Sequence, residues 1–216
     1  TVMVLGETAR AMNYQYNGYS RDTNPFTASE GIISFRHVSS CGTATAVSVP
    51  CMFSFMGRKN YDESRAETQD NVLDVIHRAG LNVQWIDNDS GCKGVCARVP
   101  TLNIDIKTKS PLCDGTYCFD EVMLPELKRL LAEAKGKDTL IALHLIGSHG
   151  PTYYRRYPAS HRIFTPDCER SDIQNCSHDE LVNTYDNTIA YTDYMLSQVI
   201  ALLKANSSEY NTSMLY

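Results

Sequence analysis

The apolar residues fall into short continuous runs and helix-spaced stripes. Val2-Met3-Val4-Leu5 is closed by Gly6 and predicts a buried strand. Ile32 to Val38 alternates weakly and reads as a second strand. Between Thr45 and Met56, the apolar residues Ala46, Val47, Val49, Met52, Phe53 and Phe55 predict a helix. Thr45 then sits at or near its N-terminus, and Pro50 near its first turn, where proline is tolerated. Val72, Leu73, Val75, Ile76 and Ala79 keep helical spacing up to Gly80, a suitable C-terminal cap. Val83 to Ile86 reads as a strand, Leu124 to Ala134 as a helix ended by Gly136, and Thr139 to Leu145 as a near-continuous apolar strand. Leu181, Val182, Ile189, Met195, Val199, Ile200 and Leu203 form a core stripe on a helix from His178 to Ala205. A last strand begins at Ser213.

Strands and helices in this alternation predict an α/β fold with a mostly parallel central sheet flanked by helices. Active sites in such sheets lie beyond the carboxyl ends of the strands. Three polar clusters occupy that position: Gly6-Glu7-Thr8, Asp87-Asn88-Asp89 and Gly147-Ser148-His149. No repeat, low-complexity tract or linker divides the chain, so residues 1–216 are read as one domain.

The formal net charge of -5 argues against nucleic-acid binding, which needs a basic surface to displace counterions. No apolar run is long enough to span a bilayer. Thr1 opens directly into one strand and Tyr216 closes another, so a processed chain or a piece of a longer one is expected. The eight cysteines fall into four sequence-local pairs, Cys41/Cys51, Cys92/Cys96, Cys113/Cys118 and Cys168/Cys176. Such pairing points to disulfides and an oxidising compartment, and the unequal spacings fit no zinc ribbon. Bridges this short are expected to pin local loops rather than to staple distant parts of the fold.

Several residues in these clusters could carry chemistry. Glu7, directly after a strand, suits a metal ligand or base, or an acid favouring a helix N-terminus. Thr45 suits an anion-facing hydroxyl or an ordinary helix cap. Lys93, between Cys92 and Cys96, suits a phosphate-binding cation or a solvated loop residue. His144 and His149 end the Thr139 strand, where His149 before Gly150-Pro151 would present its ring outward. Tyr153, Tyr154, Arg155, Arg156 and Tyr157 read as a substrate rim or as plain surface.

Taken in order, these motifs resemble one family. Val4-Leu5-Gly6-Glu7-Thr8-Ala9-Arg10 with Asn17-Gly18-Tyr19, then Ser40-Cys41-Gly42-Thr43-Ala44-Thr45-Ala46-Val47-Ser48-Val49-Pro50-Cys51, resemble the periplasmic catalytic domain of the lipid A phosphoethanolamine transferases. Asp87-Asn88-Asp89 through Cys92-Lys93-Gly94, Gly147 to Pro151 and Asn183-Thr184-Tyr185-Asp186-Asn187 continue the likeness. It is strongest to the chromosomal and mobile colistin-resistance enzymes.

The resemblance implies an alkaline-phosphatase/sulfatase-like fold and Zn²⁺ as cofactor, at one or two sites. It implies transfer of phosphoethanolamine from phosphatidylethanolamine to a lipid A phosphate through a phosphothreonine, conferring polymyxin resistance. Thr45 would be nucleophile and metal ligand, Glu7 a metal ligand, and His149 a ligand of a second metal or of the substrate phosphate. Lys93, Asp89 and Ser90 would bind substrate. The protein would act as a monomer at the periplasmic face of the inner membrane, held by a membrane domain outside this sequence. In that family, an Asp and a His beyond the position of Tyr216 complete the zinc site, and a further His follows. Glu7 and Thr45 would then be the only two ligands here, and the chain alone is expected to bind zinc weakly, turn over poorly and leave a sheet edge open. A phosphatase or sulfatase-like hydrolase, or a non-catalytic periplasmic module, is the alternative. The modified Cys or Ser motif of sulfatases is not found.

Overall fold

The computed structural model describes residues 1–216. Five strands form one parallel sheet: β1 (Val2–Leu5), β2 (Asn82–Asp87), β3 (Thr101–Asn103), β4 (Thr139–His144) and β5 (Met214–Leu215), in the order β3-β2-β4-β1-β5. The helices are α1 (Thr45–Phe53), α2 (Glu63–Thr68), α3 (Val72–Arg78), α4 (Leu124–Ala134) and α5 (His178–Ala205).

Side chains alternate across a strand, so each central strand feeds two cores. Val2 and Val4, Ile86, Ile141 and Leu143 face one way and pack with Leu127 of α4 and Met195, Val199 and Leu203 of α5. Leu5, Val83 and Trp85, Leu140 and Ala142 face the other way and pack with Val49 and Phe53 of α1 and Leu73 of α3. The result is a helix–sheet–helix sandwich, the architecture the sequence pattern predicts.

Asn71 caps α3 by accepting from Leu73 N and Asp74 N, while Asp74 accepts from Asn71 N. Ser177 and Glu180 make the same reciprocal cap on α5.

All four expected cysteine pairs are bonded: Cys41–Cys51, Cys92–Cys96, Cys113–Cys118 and Cys168–Cys176. As expected, each bridge closes a short local loop, over sequence separations of 10, 4, 5 and 8 residues. One cysteine of each pair, Cys51, Cys96, Cys118 and Cys168, is buried, so each bridge anchors its loop to the protein interior. Cys118 shows this most clearly. It faces Cys113 across an isolated antiparallel bridge, and its carbonyl accepts from Asn88 Nδ2 at 3.1 Å. That bond ties the Cys113–Cys118 turn to the loop after β2, a connection invisible in the five-residue spacing.

Two expectations need correction, and one strand was not foreseen. Ile32 to Val38 is not a strand. No neighbouring strand takes its backbone groups, and Ile33 and Phe35 stand 81% and 71% exposed. Pro50 is the sixth residue of α1 and not part of its first turn. Its missing N–H leaves the Ala46 carbonyl without the usual partner, and Ala46 is exposed, so water can reach it. β3 was not anticipated; three residues at a sheet edge carry too little alternation to register.

α5 departs from a simple amphipathic helix. Between Asn183 and Asp193 it buries Asn183, Thr184, Asp186, Asn187, Thr188, Thr192 and Asp193. Most of these hold irregular segments. Asp186 accepts from Asn13 Nδ2 and Tyr19 Oη and pairs with Arg21. Asn187 Oδ1 accepts from Ile163 N and Phe164 N. Thr184 Oγ1 accepts from Cys168 N, and Asp193 accepts from Phe26 N and Thr27 N. Buried polar groups need partners, and here the partners are loop backbones and, for Asp186, the side chains of Asn13, Tyr19 and Arg21.

Candidate metal-binding active site

Because β1, β2 and β4 run parallel, their carboxyl ends lie together, and the three polar clusters converge as the pattern predicts. Glu7 follows β1 and is buried. Its backbone is fitted closely to the loop after β4. Ser148 N donates to Glu7 O at 2.9 Å, and a Cβ on Gly147 would stand 2.9 Å from Glu7 N. Gly147 also has φ +47°, so only glycine meets both demands without strain.

The Glu7 carboxylate receives two hydroxyls. Thr45 Oγ1 donates to Oε2 at 2.8 Å and Thr8 Oγ1 to Oε1 at 2.5 Å. Thr45 is the first residue of α1, where unpaired backbone N–H groups favour an anion. The Cys41–Cys51 disulfide ties the loop before α1 to the helix itself.

Asp89 and His144 complete a cluster with Glu7, with one donor atom from each lying within 4.8 Å of the others. His144, the last residue of β4, is fully buried. Asp87 Oδ2 lies 3.1 Å from its Nδ1. A carboxylate can only accept, so Nδ1 carries a proton, and in the neutral ring Nε2 keeps its lone pair. That Nε2 has no hydrogen-bond partner and lies 3.7 Å from Asp89 Oδ2. A carboxylate–histidine pair with the far nitrogen free is the arrangement that orients an imidazole toward a metal. Asp87 is itself held by Trp85 Nε1 at 2.8 Å, Asp89 N at 3.0 Å and Gly91 N at 3.1 Å. Burial opposes its charge, but the bonds from His144, Trp85 and the backbone outweigh this and keep its carboxyl below the usual range. Burial pushes the Asp89 carboxyl up, and the nearby Glu7 charge adds to that, while His144 and His149 oppose it. Two buried carboxylates beside a lone imidazole nitrogen fit a divalent cation.

Asp89, expected as a substrate contact, and His144, a strand-end histidine of a kind that can ligate zinc, stand with Glu7. His144 was obscured because it closes a continuous apolar strand. The signal was a histidine beside two acidic strand ends.

The other predicted residues surround this centre. His149 Nδ1 donates to Gly150 O at 2.8 Å, leaving Nε2 free, and the ring is near enough to Asp89 to oppose the rise of its carboxyl. Lys93 Nζ donates to Ser90 O at 2.8 Å and Ser90 Oγ at 2.7 Å, so Lys93 and Ser90 form one unit beside Asp89. The Tyr153–Tyr157 stretch is not a simple rim. Arg156 and Tyr157 are buried, and Arg156 Nε donates to His149 O at 2.7 Å. Asp120, which sequence reasoning missed, accepts from Ile146 N, Gly147 N and Asn88 Nδ2 and joins the loops after β2 and β4.

A family model described as Sulfatase matches residues 1–216. The chain is 50% identical over its whole length to phosphoethanolamine transferase EptA of Salmonella typhimurium and covers 39% of that protein. It is 44% identical to phosphatidylethanolamine transferase Mcr-1 of Escherichia coli, again over all of this chain and 41% of the relative. The soluble domain of lipooligosaccharide phosphoethanolamine transferase A from Neisseria meningitidis superposes with a TM-score of 0.88 at 49% identity, over 93% of this chain and 60% of that one. The chain thus spans about two fifths of the length of these curated relatives. With its parallel sheet and a hydroxyl-and-carboxylate cluster at the strand ends, the chain belongs to the sulfatase family, within the alkaline phosphatase superfamily.

Proposed function

We propose that residues 1–216 are the nucleophile-bearing part of a zinc-dependent phosphoethanolamine transferase. The donor is phosphatidylethanolamine, and the acceptor is a lipid A phosphate at the periplasmic face of the inner membrane. The modified lipid A lowers susceptibility to colistin. The observation that carries this reading is the Thr45 hydroxyl, 2.8 Å from Glu7 Oε2 at a helix N-terminus and so joined to the Glu7, Asp89 and His144 cluster. The names of the relatives supply the transferred group and the donor.

Glu7, Asp89 and His144, with the Thr45 oxygen, would hold the ion. A bound Zn²⁺ supplies positive charge that favours the alkoxide form of a hydroxyl and neutralises phosphoryl oxygens. Thr45 Oγ1 bonds to the donor phosphorus as the bond from phosphorus to the diacylglycerol oxygen breaks, and the Thr45 proton passes to Glu7 Oε2. Diacylglycerol leaves, its oxygen taking from Glu7 the proton that Thr45 gave up. The second transfer reverses the roles: a lipid A phosphate hydroxyl oxygen bonds to phosphorus as the bond from phosphorus to Thr45 Oγ1 breaks, and the proton it gives up returns by way of Glu7 to Thr45. Lys93 and Ser90 offer an ammonium and a hydroxyl to phosphoryl oxygens. The anion-favouring end of α1 faces the same group. The protein acts as a monomer, with a membrane domain supplying access to both lipids.

Incubation with phosphatidylethanolamine vesicles and zinc should add about 123 Da to the Thr45 peptide, the mass of one phosphoethanolamine ester. The Thr45→Ala variant should show no addition. Release of free phosphoethanolamine with no adduct and no transfer would instead favour a hydrolase, the activity for which the sulfatase family is named.

A further inference from the structure

Thr8 has φ +51°, in the left-handed region that a β-branched residue avoids. A turn alone would be served better by glycine. Such a conformation persists only where its surroundings over-determine it, and here they do so from both sides. Ser148 N donates to the Glu7 carbonyl at 2.9 Å. Tyr185 Oη donates to the Thr8 carbonyl at 2.7 Å and accepts from Arg10 N at 2.8 Å. Thr8 is exposed, so core packing does not account for it. What the conformation achieves is local. It turns Thr8 Oγ1 onto Glu7 Oε1 at 2.5 Å, leaving Oε2 to the Thr45 hydroxyl at 2.8 Å.

We infer that Thr8 is a positioning residue. Its strained backbone aims a hydroxyl that fixes the rotation of the Glu7 carboxylate, so that one chosen oxygen faces Thr45. The inference rests on the metal reading of Glu7 proposed above. A carboxylate bound at one oxygen keeps a single orientation; released there, it can swing and offer either oxygen. Outer partners of this kind change metal affinity by about 10–100-fold when removed.

Three variants separate the hydroxyl from the strain: Thr8→Ser keeps the hydroxyl, Thr8→Val removes it and keeps the strain, and Thr8→Gly removes both. Zinc affinity would be read by competition with a chromophoric chelator, and melting temperature on the metal-free chain. The expected affinity order is Thr and Ser within about threefold of each other, with Val and Gly both weaker by about tenfold or more. The expected melting order differs, with Thr8→Gly about 4 °C above Thr8→Val. A purely structural threonine would make affinity follow melting temperature, and that result would overturn the proposal, as would a Thr8→Val variant binding zinc like the parent. If the parent chain takes up no zinc, the metal reading falls instead. The metal-free melting order then still decides the strain: Thr8→Gly above Thr8→Val supports it, and the reverse overturns it.

Discussion

Replacing Asp87 with asparagine should disable the cluster without touching any of its donors. Asp87 Oδ1 accepts from two backbone amides, Asp89 N and Gly91 N, while Oδ2 accepts from Trp85 Nε1 and His144 Nδ1. An asparagine keeps one acceptor oxygen. Placing it at Oδ1 preserves both backbone bonds and turns the amide NH₂ toward the indole and the imidazole. The indole N–H has no alternative proton arrangement, and Trp85 is fully buried, so it loses its partner at a cost of about 1–3 kcal/mol. The imidazole can adapt: its proton moves to Nε2, and Nδ1 accepts from the new amide. Nε2, which faces Asp89, then points a proton where a metal needs a lone pair. For a chain of this size, about 2 kcal/mol corresponds to ~4–8 °C of melting temperature. Zinc affinity should fall by about 10–100-fold. Chelator competition reads the affinity, and long-range ¹H–¹⁵N NMR reads which imidazole nitrogen carries the proton. Affinity within about threefold of the parent, or a metal-free variant still protonated at Nδ1, would refute the argument.

The remaining predictions concern the frame around the site. Gly147→Ala should cost about 2–3 kcal/mol in urea unfolding, because φ is +47° and a Cβ would meet Glu7 N at 2.9 Å; a loss under about 0.5 kcal/mol would contradict this. Asp186→Ala should cost about 3 kcal/mol, leaving Arg21, Asn13 and Tyr19 without their shared acceptor, and should speed amide exchange in residues 11–27 more than in β4. Burial opposes charge on Asp74, but bonds from Arg98 and Asn71 N outweigh it and lower the carboxyl. Its contribution is therefore complete above the unfolded value of about 3.9 and lost as pH falls through the lower folded value. Asp74→Asn should cost about 1 kcal/mol at neutral pH, and its stability curve should merge with the parent's in strong acid. Curves that stay parallel throughout an acid titration would contradict that assignment.

The sheet, the three polar strand ends and the long helix were legible because each rests on a local pattern: an apolar run, a turn glycine or a 3.6-residue stripe. His144's place in the cluster was not, since a buried histidine at the end of an apolar strand has the same pattern as a core residue, and only pairing with β2 reveals Asp87 and Asp89 beside it. Ile32 to Val38 misled for the converse reason: alternation suits a strand, but pairing is supplied by a neighbour. Cysteine spacing gave the partners of each disulfide but not the depth of Cys118, because burial depends on what folds over a loop. The Asn183-Thr184-Tyr185-Asp186-Asn187 motif was recognised by resemblance, yet its physical role lay out of reach. Its partners Arg21, Ile163, Phe164 and Cys168 are distant or irregular in sequence.

The polar stretch of α5 changes what counts as a loop in this molecule. Phe26, Thr27, Ile163, Phe164 and Cys168 lie outside regular structure, yet their amides donate to side chains of one helix. To expose any of them, a bond to a buried residue of α5 must break. Their slow exchange with solvent deuterium would then share the opening free energy of the helix, and segments that look independent along the chain would melt as one cooperative unit with it.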